Sequence, residues 1–132
     1  MTTASTREAV TRYLNALNAG DPAAVTSCVT EDFWNEHTSA LGTSLHGREA
    51  YRERVPQFLG RFRGLHYEIE DLLADGDRAV VRYRMTCRWA DDSGGEHPVV
   101  IRGMFWFSVR GTQIAHRIDY WDGTEFTRQV QD

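Results

Sequence analysis

Three side chains, far apart in this 132-residue chain, are of types suited to moving protons: Asp119, His37 and Tyr13. Asp119 lies within Gln113-Ile114-Ala115-His116-Arg117-Ile118-Asp119-Tyr120-Trp121-Asp122-Gly123, where alternating apolar residues predict a β-strand ending at a glycine. Aspartate is among the residues least suited to a strand. The alternation puts Arg117, Asp119 and Trp121 on one face and His116, Ile118 and Tyr120 on the other. A carboxylate flanked by a guanidinium and a large aromatic ring suits the wall of a ligand pocket; the same trio also describes an ion pair at a sheet surface. The state of Asp119 turns on Arg117: a guanidinium within reach makes it a base, and apolar burial without one makes it an acid.

His37, whose ordinary pKa is about 6.5, suits proton transfer near neutrality. It shares a strand face with Phe33 and Asn35, which are expected beside it at the substrate. Tyr13 falls on the apolar face of a helix, where its hydroxyl either points into a pocket or is tied to a core neighbour. Arg102, Met104 and Trp106 share one face of another strand. Met104, Trp106 and Trp121 are expected to line an apolar cavity or to pack as core, with Arg102 and Arg117 at the substrate. The remaining histidines (His46, His66, His97 and His116) fall at loop or surface positions. None combines with Asp, Glu or Cys at a metal-ligand spacing, and neither a nucleophile motif nor a Gly-rich phosphate loop occurs. The expected chemistry is proton transfer with no metal and no organic cofactor.

Two helices open the chain. Ser5 with Glu8 three residues on is a capping-box pattern, and Val10, Tyr13, Leu14 and Leu17 trace one buried face of a helix over residues 5–19. Asp21-Pro22 caps a second helix reaching Cys28 or Val29. Residues 33–37 read as a short strand and 38–46 as a polar loop. From Arg48 a third helix shows Tyr51, Val55, Phe58, Leu59 and Phe62 on one face, with a kink or early end expected at Pro56 and closure over residues 60–64. Strands follow at 65–73, 79–90 and 97–109, joined by hairpin-length turns, then the stretch that holds Asp119. Such a meander pairs antiparallel. Residues 124–132 form a short helix or an ordered tail. Helices first and strands after give an α+β fold, one domain over residues 1–132. Helices packed on the concave face of a long twisted sheet leave a cone with an open end.

Composition excludes several classes of function. The chain is 41% hydrophobic and 26% charged, with a net charge of -4, so it makes a poor nucleic-acid platform. Its basic residues are all arginines, spread among apolar ones. No apolar run approaches the roughly 20 residues of a membrane span, and no basic-then-apolar leader opens the chain. Cys28 and Cys87 offer neither a disulfide framework nor a Cys-x-x-Cys site. A cytoplasmic protein with two buried thiols is expected, with no nucleic-acid or membrane partner. Ile118 and Tyr120 on the outward sheet face predict a homodimer.

The whole chain resembles the nuclear transport factor 2-like superfamily, which includes ketosteroid isomerases, SnoaL-type polyketide cyclases and limonene epoxide hydrolases. Arg12-Tyr13-Leu14-Asn15-Ala16-Leu17-Asn18-Ala19-Gly20-Asp21 is similar to the first-helix signature of the isomerases, and Gly47-Arg48-Glu49-Ala50 to the opening of the third helix. Arg117-Ile118-Asp119-Tyr120-Trp121-Asp122 is similar to the last-strand motif of the cyclases and epoxide hydrolases. The resemblance implies a cone-shaped α+β barrel with a hydrophobic cavity. It places Tyr13 where the isomerases keep a donor to the enolate oxygen. Their general base falls on His37 and their second oxyanion donor near Met104, which cannot donate, so the usual isomerase equipment is incomplete. The epoxide hydrolases' Asp-Arg-Asp unit keeps Asp119 but finds no acid in residues 79–90. The SnoaL-type cyclases carry an aspartate at the place of Asp119 and often a histidine at that of His37. That branch implies a cofactor-independent cyclase or isomerase acting on a hydrophobic, polyketide- or steroid-like compound. Epoxide opening, dehydration, and a non-catalytic binding or protein-interaction module remain the alternatives.

Overall fold

The computed structural model describes residues 2–131. Helix α1 (Thr3–Ala19) is capped not by Ser5 but by Thr2, whose hydroxyl accepts from the Ser5 amide while Ser5 reaches back to the Thr2 backbone. The reciprocal cap therefore starts the helix one turn earlier than a Ser5–Glu8 cap would. Gly20, at φ 66°, ends it, and α2 (Pro22–Ser27) follows with Asp21 as its cap. Strand β1 (Val29–His37) is longer than its motif suggested, and β2 (Leu45–His46) is a two-residue strand within the polar loop. Helix α3 (Arg48–Arg61) runs through Pro56. The proline is exposed, on the side where water can take the carbonyl that loses its N–H partner.

No loop separates α3 from β3 (Phe62–Asp75). Gly64, at φ 65°, sits where the β3 register shifts between Arg63 and His66, so the glycine expected to mark a break marks a bulge. β4 (Arg78–Ala90), β5 (Glu96–Arg110) and β6 (Gln113–Tyr120) complete the sheet, and α4 (Gly123–Val130) ends the described chain. The sheet order is β2-β1-β6-β5-β4-β3. The meander β3 to β6 pairs antiparallel as expected, but β1 pairs with β6 in parallel, opposing Asn35 to Arg117 and His37 to Asp119. Among the described residues four helices thus pack on a curved, unclosed six-stranded sheet, an α+β cone.

Alternation sets the two faces. On β4, Val81, Tyr83, Met85 and Cys87 are buried while Arg82, Arg84 and Arg88 are exposed; on β5, Val99, Ile101, Phe105 and Phe107 are buried. The inward residues meet Val10, Tyr13, Leu14 and Leu17 of α1, giving one core cluster. Cys28 and Cys87 are free, buried thiols. The β5–β6 ladder stops at Met104–Tyr120, which leaves the start of β5 without a strand on that side. Gln129 of α4 fills the gap: its amide accepts from the Val100 N–H at 2.7 Å and donates to the Val100 carbonyl at 2.8 Å. That closes a raw edge and brings Phe126 toward the cavity.

Candidate active site

The parallel pairing of β1 with β6 creates the site. Because residues two apart share a face, Asn35 and His37 point inward beside Arg117 and Asp119. They open onto a cavity of about 380 Å³, lined also by Tyr51, Tyr67, Tyr83 and Trp121, with Phe58, Phe62, Trp89 and Phe126 forming its apolar part. That volume lies at the lower end of the roughly 300–1,000 Å³ of small-molecule pockets.

Asp119 is 5% exposed. Its Oδ1 accepts from the Tyr83 hydroxyl at 2.7 Å, and its Oδ2 lies 3.8 Å from His37 Nδ1. Burial pushes its pKa up to about 6, against the opposing pull of Arg117 and of the Tyr83 hydrogen bond. The Arg117 guanidinium is directed elsewhere. It donates to Asn35 Oδ1 from Nε at 3.1 Å and from Nη2 at 2.6 Å, and to the Tyr13 hydroxyl at 3.0 Å. Burial alone would lower the Arg117 pKa, but Tyr13, Tyr51 and Asp119 more than offset it, so the guanidinium stays charged. Asp119 is thus a buried carboxyl near a cation but not paired with it, the arrangement that leaves its pKa close to neutrality.

His37 is neutral. Burial, then Arg117 and Arg54, push its pKa down to about 3, well below the ordinary value that suggested an imidazolium proton carrier. Its approach to Asp119 is therefore a contact between an imidazole and a carboxyl group, not an ion pair. Trp121 Nε1 lies 3.3 Å from Nδ1 and Arg117 Nη2 3.4 Å from Nε2. A neutral imidazole has one acceptor nitrogen, so only one of these is a hydrogen bond at a time. Gly42 leaves the room that the ring occupies: a Cβ there would come within 2.4 Å of the His37 Cβ.

Tyr13 is fully buried and lies behind the cavity wall, bonded to Arg117 and, at 2.5 Å, to the Tyr51 hydroxyl. Tyr51, not Tyr13, lines the cavity. Burial raises both tyrosine pKa values, so both hydroxyls stay protonated. Phe33 is core, its ring packed 4.8 Å from that of Tyr51. Arg102, Met104 and Trp106 fall on the outer sheet face, Met104 being 42% exposed and Arg102 paired with Glu70 at 3.0 Å. The inward positions of that strand are Ile101, Gly103 and Phe105. Of the other histidines, His116 sits on the outer face of β6 beside Glu36 at 3.0 Å, and His97 lies near the start of β5 beside Asp91 at 2.8 Å.

Tyr83 is the cavity residue bonded to Asp119 that no motif singles out. Residues 79–90 hold no acid, but Tyr83 among them donates its hydroxyl to Asp119. Gly103, opposite Tyr83 in the sheet, makes this possible: a Cβ there would meet Tyr83 Oη at 2.5 Å and the Tyr120 carbonyl at 2.7 Å. Tyr83 shares its strand face with Val81, Met85 and Cys87, opposite Arg82, Arg84 and Arg88, and that contrast was the available signal. Among the described residues no three His, Cys, Asp or Glu side chains are grouped to hold a metal ion.

Residues 10–117 match the SnoaL-like domain family, and the chain belongs to it. No curated protein sequence matches it. Solved structures share its fold at low identity. A protein from Shewanella denitrificans described as a SnoaL-like polyketide cyclase is 15% identical with a TM-score of 0.86, covering 96% of each chain. An epoxide hydrolase from M. tuberculosis, similar to the limonene enzyme, is 21% identical with a TM-score of 0.81, covering 97% of this chain and 90% of its own. A protein of ketosteroid isomerase-like fold from Catenulispora acidiphila, bound to trimethylamine, is 20% identical with a TM-score of 0.81, covering 92% and 91%.

Proposed function

We propose that this protein is a cofactor-independent acid/base enzyme, of the cyclase or isomerase type, acting on a hydrophobic carbonyl compound. The observation that carries this reading is Asp119: a carboxyl group buried at the wall of an apolar cavity, hydrogen-bonded by Tyr83, with its pKa near 6. A group of that pKa exists in both protonation states near neutrality, the condition for general acid/base work.

In the proposed step the Asp119 carboxylate takes a proton from the carbon next to the substrate carbonyl. The C–H electron pair moves to the carbonyl oxygen, giving an enolate and a neutral carboxylic acid. The enolate oxygen is stabilised by donors in a poorly hydrated site: the protonated nitrogen of neutral His37, the Tyr51 hydroxyl, and the nearby positive charge of Arg117. Tyr13 acts from behind, bonded to both Tyr51 and Arg117. Asp119 then returns its proton, to a different carbon in isomerisation, or to the alkoxide formed when the enolate carbon attacks a second carbonyl in cyclisation. Trp121 and Asn35 hold His37 and Arg117 in place.

The test is hydrogen exchange. A polycyclic ketone incubated with the protein in heavy water should gain deuterium next to its carbonyl, read by mass spectrometry. Asp119→Asn should slow this roughly 10²–10⁴-fold, the usual contribution of a positioned proton carrier. Binding of such ketones without any exchange above the protein-free rate would make the domain a binding module instead.

A further inference from the structure

The stripe of α3 that faces the cavity is Tyr51, Arg54, Val55 and Phe58, spaced as one side of a helix. Three of these are what an apolar cavity asks for; Arg54 is not. It is half-buried, and its charge is near enough to His37 to help keep that imidazole neutral. Its neighbours one turn away on the helix are Ala50, Tyr51, Gln57 and Phe58, so no acid reaches it from three or four residues off. Among the described residues it has neither an ion-pair nor a hydrogen-bond partner. The other arginines of α3 all do: Arg48 donates to the Val29 carbonyl, Arg52 pairs with Glu49, and Arg61 reaches Asp92 at 3.4 Å and the Ala90 carbonyl at 2.7 Å.

The cavity as a whole is cationic. Arg54 and Arg117 line it, Asp119 is its one carboxyl group among the described residues and His37 is neutral, although the full chain carries a net charge of -4. Arg117 is already engaged by Asn35 and Tyr13, so among the described residues Arg54 is the cavity guanidinium with no hydrogen-bond partner. Five N–H donors in a planar fork fit a carboxylate through two hydrogen bonds.

We infer that the ligand of this cavity is an apolar carboxylic acid, its carboxylate held by Arg54 and its ring or chain lying among Phe58, Phe62, Trp89 and Phe126. The inference rests on the small-molecule reading above and names the substrate class. It gives the ligand two anchored groups, an acid group at Arg54 and a reacting carbonyl at Asp119, and so one orientation.

The experiment is titration calorimetry with 2-naphthoate and 2-naphthamide, which share an apolar body and differ in charge, at low salt near neutral pH. The wild-type protein should bind the acid about tenfold more tightly than the amide, a difference of about 1.4 kcal/mol. Arg54→Gln should remove that preference and Arg54→Lys should retain only part of it, since the lysine keeps the charge but not the two-bonded fork. Amide affinity should change far less than acid affinity in both variants, which reports an intact cavity. Equal binding of the two probes by the wild type, or a preference that survives Arg54→Gln, overturns the carboxylate assignment and leaves the small-molecule reading standing. Loss of amide binding in Arg54→Gln also overturns it, because Arg54 would then shape the cavity and not recognise charge. Binding of neither probe overturns both.

Discussion

Replacing Asp119 by asparagine should make the protein more stable at neutral pH, not less. The folded state raises the pKa of this carboxyl from 3.8 to about 6, so it favours the neutral acid. The stability it contributes is complete below the unfolded pKa and is lost as pH rises through about 6. At about 1.36 kcal/mol per unit, the loss is of order 3 kcal/mol. An asparagine does not titrate. Its amide oxygen can still accept from Tyr83, and its amide nitrogen faces His37 Nδ1, which lies 3.8 Å from Asp119 Oδ2. Thermal melts of Asp119→Asn and wild type should therefore coincide near pH 4 and diverge upward, the variant leading by roughly 10 °C above pH 7 for a chain of this size. A variant that melts below the wild type throughout, with an unchanged pH profile, would refute the reasoning. It would mean that Asp119 is the ionised partner of Arg117, whose loss leaves a buried charge uncompensated.

Tyr83→Phe removes a hydrogen bond to the carboxylate and should raise the Asp119 pKa by roughly one to two units, seen as a matching shift of the acidic limb of the exchange rate. Gly103→Ala places a methyl group against Tyr83 Oη and the Tyr120 carbonyl, so denaturant melts should show a loss of about 1–3 kcal/mol, together with the pKa effect of Tyr83→Phe. The outer sheet face presents Met104 and Tyr120, 42% and 48% exposed, beside Trp106 and Ile118. Light scattering at about ten-micromolar concentrations should find a homodimer through this face, and a monomer would count against it.

Periodicity made the elements legible because each depends on neighbours in sequence: the 3.6-residue stripe of α1 and the alternation that puts Arg117, Asp119 and Trp121 on one face both hold. What could not be read is the parallel β1–β6 pairing, since hydrogen bonds between strands 82 residues apart leave no local pattern. That pairing is what brings His37 to Asp119. Alternation yields two faces without saying which is inward, and the large side chains of Met104 and Trp106 drew the assignment to the wrong one. The uniformly apolar Val99, Ile101, Phe105 and Phe107 were the better signal, because the face against helices must be apolar throughout. Tyr13 is central to the site yet does not line the cavity, a distinction set by the reach of Arg117, and the spacing of residues does not encode it. His37 kept its position but not its charge state, which depends on burial and on two arginines distant in sequence.

The most direct measurement is the titration of Asp119 itself, followed by carbon NMR of aspartate carboxyl groups with Asp119→Asn to assign the signal. A midpoint near 6, as burial without an ion pair requires, is the predicted result. A midpoint at or below the 3.8 of an ordinary aspartate would contradict a proton carrier at this site.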